Sequence, residues 1–126
     1  MAKVVHDDVL DGAWDIIRNN CTRMTACAGQ PASFAAANIG GANFLADVTM
    51  AATDFTKANG DTSGRKVTAA QKTGVTVDNS GTADHVALLD VTLSKLLYVT
   101  TATSQALTAG NTMTFNAWDA EIADPT

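Results

Sequence analysis

Apolar and polar positions alternate with two different periods along the chain, and the change of period falls after Gly40-Gly41. Over residues 7–20, DDVLDGAWDIIRNN, apolar residues stand at Val9, Leu10, Ala13, Trp14, Ile16 and Ile17. That is the i, i+3, i+4, i+7 spacing of an amphipathic helix. Asp7 and Asp8 suit the positive N-terminal end, Arg18 the last turn, and Asn19 or Asn20 the cap. A second, short helix is predicted over 32–38, with Pro31 at a first-turn position and Gly40-Gly41 as its stop.

Beyond this the period becomes two. NFLADVTM (43–50) places Phe44, Ala46, Val48 and Met50 on one face. RKVTAAQ (65–71) and GVTVDN (74–79) read as short strands, followed by ADHVALLDV (83–91), SKLLYVTT (94–101) and NTMTFNAWDAEIAD (111–124). In the last of these Met113, Phe115 and Ala117 alternate with Thr112, Thr114 and Asn116. Abundant threonine fits strand surfaces exposed on one side. NGDTSG, DNSG and TAGN supply turn formers between the strands. The predicted fold is mainly β: an antiparallel sandwich or barrel with one N-terminal amphipathic helix. The whole of 1–126 reads as one domain, with the helix at about 7–20 and a β-rich body at about 21–124.

Composition thins this core without removing it. The chain is 46% hydrophobic and 17% charged, which excludes a mainly disordered chain. Much of the apolar share is alanine and only 6% of residues are aromatic, so each core position buries little area. Part of the stability is therefore expected from contacts with other subunits. The net charge of −5, with eight scattered basic residues, argues against nucleic-acid binding. No signal-peptide pattern and no run long enough for a membrane helix is seen, so synthesis in a cytoplasm and no membrane partner are expected.

Candidate chemistry is sparse. The stretch NGDTSGRKV (59–67) resembles a phosphate-cradling loop, but its glycines are one residue too close for a P-loop and Val67 stands where a hydroxyl should. It is read as a surface turn leading into a strand. Asp54, Thr56, Asn59 and Asp61 alternate loosely, yet lack the glycine and closing glutamate of a calcium loop. His6 lies before the helix, where it is either frayed or near the cap, and His85 follows Asp84 on a strand. Cys27 with His85 is the one thiol pair to consider, although a strand cysteine among alanines is usually core. Cys21 and Cys27, about 20 Å apart if both lie on one strand, could not then bridge each other and are read as free thiols. Two cysteines and two distant histidines match no zinc spacing. No catalytic residue, cofactor or metal is expected.

Trp14 is read as core. Trp118 anchors either the sheet or a neighbouring subunit. In the acidic end, WDAEIADPT, Trp118, Ala120 and Ile122 alternate with Asp119 and Glu121, which fits either a solvated tail or an edge strand docked on a partner. If it is a docking arm, deleting 117–126 should weaken assembly and leave the fold intact.

The C-terminal half resembles small virion proteins of tailed bacteriophages. The resemblance is carried by GTADHVALLD at 81–90, LLYVT at 96–100 and SQALTAGNTMTF running on to WDAEIADPT, and the opening helix fits it. It implies a symmetric oligomer or array located in the virion, most simply a capsid decoration or cement protein. A neck, tail or fibre component is the alternative, and a carbohydrate- or ligand-binding β-domain a further one. The implied partners are other copies of the chain and the major capsid or other virion proteins. Contacts are then expected on loops and edges: the helix start, the 29–43 loop and residues 116–126. Phe34, Asn38, Phe44, Trp118, Ile122 and Asp124 are the candidate interface residues.

Overall fold

A computed structural model describes residues 3–125 as a mainly β protein of antiparallel sheets with one long helix near the N-terminus and no closed barrel. Helix α1 spans Asp7–Asn20. The His6 imidazole caps it by accepting from the Asp8 N–H at 3.1 Å, and its C-cap is Cys21 rather than either asparagine. Strands follow in the order β1 (Arg23–Cys27), β2 (Phe44–Thr49), β3 (Phe55–Asn59), β4 (Arg65–Ala69), β5 (Lys72–Thr76), β6 (Gly81–Asp90), β7 (Lys95–Leu107), β8 (Thr112–Phe115) and β9 (Trp118–Ile122). A one-turn helix α2 (Phe34–Ala37) lies between β1 and β2. Its N-cap is Ser33, whose hydroxyl accepts from the Ala36 N–H, so Pro31 is a buried residue ahead of the cap and not part of the first turn.

The strands form three sheets. The largest has the order β2-β1-β6-β7, the second β3-β4-β9, and the third pairs β5 with β8. An isolated antiparallel bridge, Ala46 with Val77, ties the largest sheet to the chain just after β5. The main core fills the space between the sheets: Met24, Ala26, Leu45, Leu88, Phe55, Val67, Val75 and Phe115 meet Trp14 and Ile17 of α1 there. A smaller cluster of Cys27, Ala37, Ala87 and Leu89 lies under α2, which explains why β1 is buried along most of its length.

Four sequence expectations are corrected. First, α1 buries Asp11, Trp14 and Ile17, while Val9 and Ile16 face solvent. The apolar residues form two stripes, and Asp11, which the period left off the apolar face, lies on the buried one. Second, residues 55–59 form a strand where sequence showed only polar spacing, because Phe55 alone enters the core. Third, 111–124 is two strands. The step at Asn116-Ala117 transfers the chain from β5, which pairs with β8, to β4, which pairs with β9. Fourth, β7 continues well past residue 101, through TATSQA, whose side chains are exposed on both sides and so carry no alternation.

The NGDTSG turn joins β3 to β4, with the Gly60 N–H donating to the Gly64 carbonyl at 2.9 Å. Gly64 has φ +72°, and a Cβ there would lie 1.8 Å from the Ile122 carbonyl oxygen. Only glycine lets the hairpin run this close to β9.

Candidate interaction surface

The six candidate interface residues fall into two separate groups. Phe34, Asn38 and Phe44 belong to the α2 side of the four-stranded sheet, and Trp118, Ile122 and Asp124 to the β4–β9 pair. Phe34 is half-buried against the Cys27 cluster. The Asn38 Oδ1 accepts from the Arg23 guanidinium at 2.6 Å. Phe44 is only 3% exposed and opposite Cys27 in the ladder, so it is a core residue of its own chain and not a free contact. Gly41, in the small-residue loop expected to admit a neighbour, is instead filled from within: its Cβ would lie 2.2 Å from the Ala35 carbonyl oxygen.

The acidic end is likewise used internally. β9 pairs antiparallel with β4, Lys66 opposite Glu121 and Val67 opposite the buried Ala120. Trp118 stacks on Tyr98 with ring centroids 5.9 Å apart, and Ile122 packs on the core. The Asp124 N–H donates to the Ser63 hydroxyl at 3.2 Å. Through residue 124 the segment is an edge strand and its sequel laid on this chain's own hairpin.

The two adjacent cations of the hairpin are occupied as well. Arg65 grips Asp11 with two contacts, Nε to Oδ1 at 2.8 Å and Nη2 to Oδ2 at 3.2 Å, while the Trp14 indole donates to the Arg65 carbonyl. The Arg65 hydrogen bonds hold the Asp11 carboxyl below the usual carboxylate range. Lys57 adds a bond to Asp15 at 2.5 Å. Lys66 sits between Asp61, at 2.8 Å, and Asp119, at 3.1 Å. The hairpin therefore offers phosphate no free cation. The exposed Asp61–Asp119–Glu121 group already encloses a lysine ammonium where a metal would sit.

Cys27 and His85 are direct cross-strand partners. The Cys27 Sγ nevertheless meets the Thr25 hydroxyl at 3.5 Å, and burial raises the thiol above its ordinary value. That is the reverse of the activation a nucleophilic thiol needs. His85 Nδ1 is bonded to Asp84 at 2.8 Å, and the same carboxylate accepts from the Gly29 N–H. Cys21, at the end of α1, is also buried, which pushes its thiol up to about 11. Both thiols are expected to resist an aromatic disulfide reagent at neutral pH in the native protein and to react together once it is unfolded. Rapid native-state labelling of either would contradict the burial described here.

Sequence reasoning did not find a cleft beside β7. A cleft of about 710 Å³ opens beside β7, with Ala26, Ala83 and Val86 as apolar floor. Residues 101–105 of β7 form one wall and residues 113–118 the other. The register of β7 against β6 slips opposite Ala83–His85, around residues 102–104 of β7, so the strand bends there. The indole N–H of Trp118, which lines the cleft, is buried without an acceptor. No charged residue occurs from Leu96 to Trp118, whereas β2, β3, β5 and β9 carry Asp47, Lys57, Lys72 and Asp119 with Glu121. The signal available in the sequence was this charge-free run, not a motif.

No protein-family model, curated protein or solved structure matches this chain.

Proposed function

We propose that the protein is a non-enzymatic structural component of a tailed-phage virion, a decoration or cement protein that stabilises the head lattice. The observation that carries the assembly part of this reading is β7. It ends its sheet among the described residues, is exposed from Thr101 to Ala106, and after Lys95 lacks the charges found on the other sheet edges except β8. Edge strands of monomers are normally blunted by charge, proline or cover. A neutral edge beside an open cleft is the kind of surface that a neighbouring chain completes. The virion part rests on the resemblance of segments 81–90, 96–100 and 104–126 to small phage structural proteins.

The mechanism is mass action. Copies that bind the assembled lattice and not its separate subunits add their binding free energy to the stability of the assembly. The engaged state of Cys27, His85 and Asp84 supports the absence of turnover. A neck, tail or fibre position involves the same class of surface at low copy number. The cleft, with Trp118 among hydroxyl and amide side chains, favours a ligand-binding β-domain as the second reading.

Quantitative mass spectrometry of the purified parent particle tests the proposal. A copy number equal to that of the major capsid subunit, or a simple fraction of it, is the expected result. A handful of copies would move the protein to the neck, tail or fibre. Absence from the particle, together with a hit on a glycan array, would overturn the structural reading in favour of ligand binding.

A further inference from the structure

The lining of the cleft beside β7 selects its guest by charge first. Among the described residues no lysine, arginine or carboxylate lines it, and His85 is its one titratable side chain. The His85 Nδ1 is bonded to Asp84 at 2.8 Å, and Asp84 also accepts from the Gly29 N–H. These bonds hold the Asp84 carboxyl below its ordinary value. An anionic guest therefore meets no cation and has a carboxylate behind the wall. A cationic guest finds the one nearby acid already engaged.

Polar groups narrow the choice. Thr101, Thr103, Ser104 and Gln105 stand on the β7 wall, with Thr114 and Asn116 on the opposite one. Hydroxyls and side-chain amides both donate and accept, as the hydroxyls of a sugar do. Between the walls, Ala26, Ala83 and Val86 supply an apolar floor. A pyranose has the matching character, a rim of hydroxyls around faces of C–H. Trp118 adds an aromatic ring and a buried indole N–H without an acceptor. The other indole, that of Trp14, is satisfied by the Arg65 carbonyl. A buried donor left unpaired is costly, and a sugar oxygen seated at the Trp118 ring edge supplies what is missing.

The shape of β7 decides against an added strand. His85 pairs with Thr101 and Ala83 with Gln105, so residues 102–104 of β7 face Asp84 alone. This bulge interrupts the row of edge groups that strand addition uses. It also brings Thr103 and Ser104, which a regular strand sends to opposite faces, to the same cleft. The wall from 101 to 105 runs for about 13 Å at roughly 3.3 Å per residue. With a volume of about 710 Å³, the cleft has room for a short oligosaccharide.

We propose that the cleft is a binding site for a neutral oligosaccharide, held by the hydroxyl and amide side chains of its two walls and by the Trp118 indole. The proposal rests on the ligand-binding reading of the cleft given above. The virion reading is tested separately, by the particle count.

The experiment is a nitrogen-15 NMR titration of the full chain at millimolar ligand. The probes are neutral tetrasaccharides of glucose, galactose, mannose, xylose and N-acetylglucosamine, the acidic tetragalacturonate, and a threonine-rich peptide. At least one neutral sugar is expected to move the Trp118 indole and the side-chain amides of Gln105 and Asn116, while the Trp14 indole stays fixed. Tetragalacturonate should bind about tenfold more weakly or worse than that sugar. Trp118→Phe keeps a ring beside Tyr98 and removes the N–H, and Asn116→Ala alters an exposed side chain. Each should weaken binding about tenfold in a chain that still melts cooperatively. Binding that both variants leave unchanged overturns the proposal, as does equal affinity for the acidic sugar. Silence to every neutral sugar overturns it too. A response to the peptide or to tetragalacturonate would then leave the ligand-binding reading standing with another ligand, and silence to every probe would remove both.

Discussion

Deleting residues 117–126 is expected to abolish cooperative unfolding, leaving a chain with no native baseline in thermal or urea melts. The truncation removes β9 entirely, and with it the ladder along β4 from Arg65 to Ala69. It also removes the buried Ala120, the half-buried Ile122 and the Trp118 ring stacked on Tyr98. Replacing Trp118 alone by alanine should cost about 2 to 3 kcal/mol, below the usual range for a fully buried tryptophan because the residue is half-exposed. Loss of the whole strand then approaches the roughly 5 to 15 kcal/mol that holds a small domain together. The sequence allowed a different outcome, a docking arm whose removal spares the fold. A truncated chain that still melts cooperatively near the parent temperature would restore that arm and contradict the pairing of β4 with β9.

Asp11→Asn is expected to destabilise the protein by about 2 kcal/mol at neutral pH, the order of a charged hydrogen-bonded contact in a partly screened setting. The substitution keeps the shape of the side chain and removes the charge that Arg65 grips, one of the polar contacts that fix α1 to the β3–β4 hairpin beside the Trp14–Arg65 and Lys57–Asp15 bonds. The same pair sets a pH dependence. The folded Asp11 carboxyl lies below its ordinary value, chiefly through the Arg65 hydrogen bond. Its contribution is therefore fully present above the unfolded carboxylate value of about 3.9 and is lost as pH falls through the lower folded value. Urea titrations of wild type and Asp11→Asn should differ at pH 7 and converge as the pH drops below about 3.9. A gap that stays constant to pH 2 would mean that the carboxylate charge does not hold the helix.

How far the fold could be read from the chain depends on how each residue spends its side chain. Helix α1 was legible because its terminal charges and period agree, although its C-cap is Cys21 and not the Asn19 or Asn20 that the sequence offered. Which face it buries was not, because both faces carry apolar residues and the buried one includes Asp11, whose partner Arg65 is 54 residues away. β6 was legible from its run of apolar residues, which both the main core and the α2 cluster absorb. β3 and the outer half of β7 were not, since a strand that contributes one core residue or none leaves no period to detect. The break in 111–124 was hidden for the opposite reason: a strand that changes partner sheet keeps its alternation almost intact on each side of the step. Among the candidate contacts, Phe34 and Asn38 were singled out for a neighbouring subunit on the resemblance, and both are engaged within the chain where α2 meets its own sheet. The cleft beside β7 is assembled from residues between 26 and 118 and has no local signature at all.

The pairing pattern also orders events in time. β1 finds β2 across residues 28–43, which carry α2, but its other neighbour, β6, is reached only by matching Arg23 to Leu89. β4 has β3 at once through the hairpin, yet waits for Lys66 to meet Glu121 before its second edge is satisfied. Such distant partners make chain closure the slow step, because the entropy of a long loop must be spent before its contacts form. Between the two moments the β4 edge from Arg65 to Ala69 exists as an unprotected strand. The interval in which a nascent copy could join the wrong neighbour is therefore set by how soon residues 118–122 arrive.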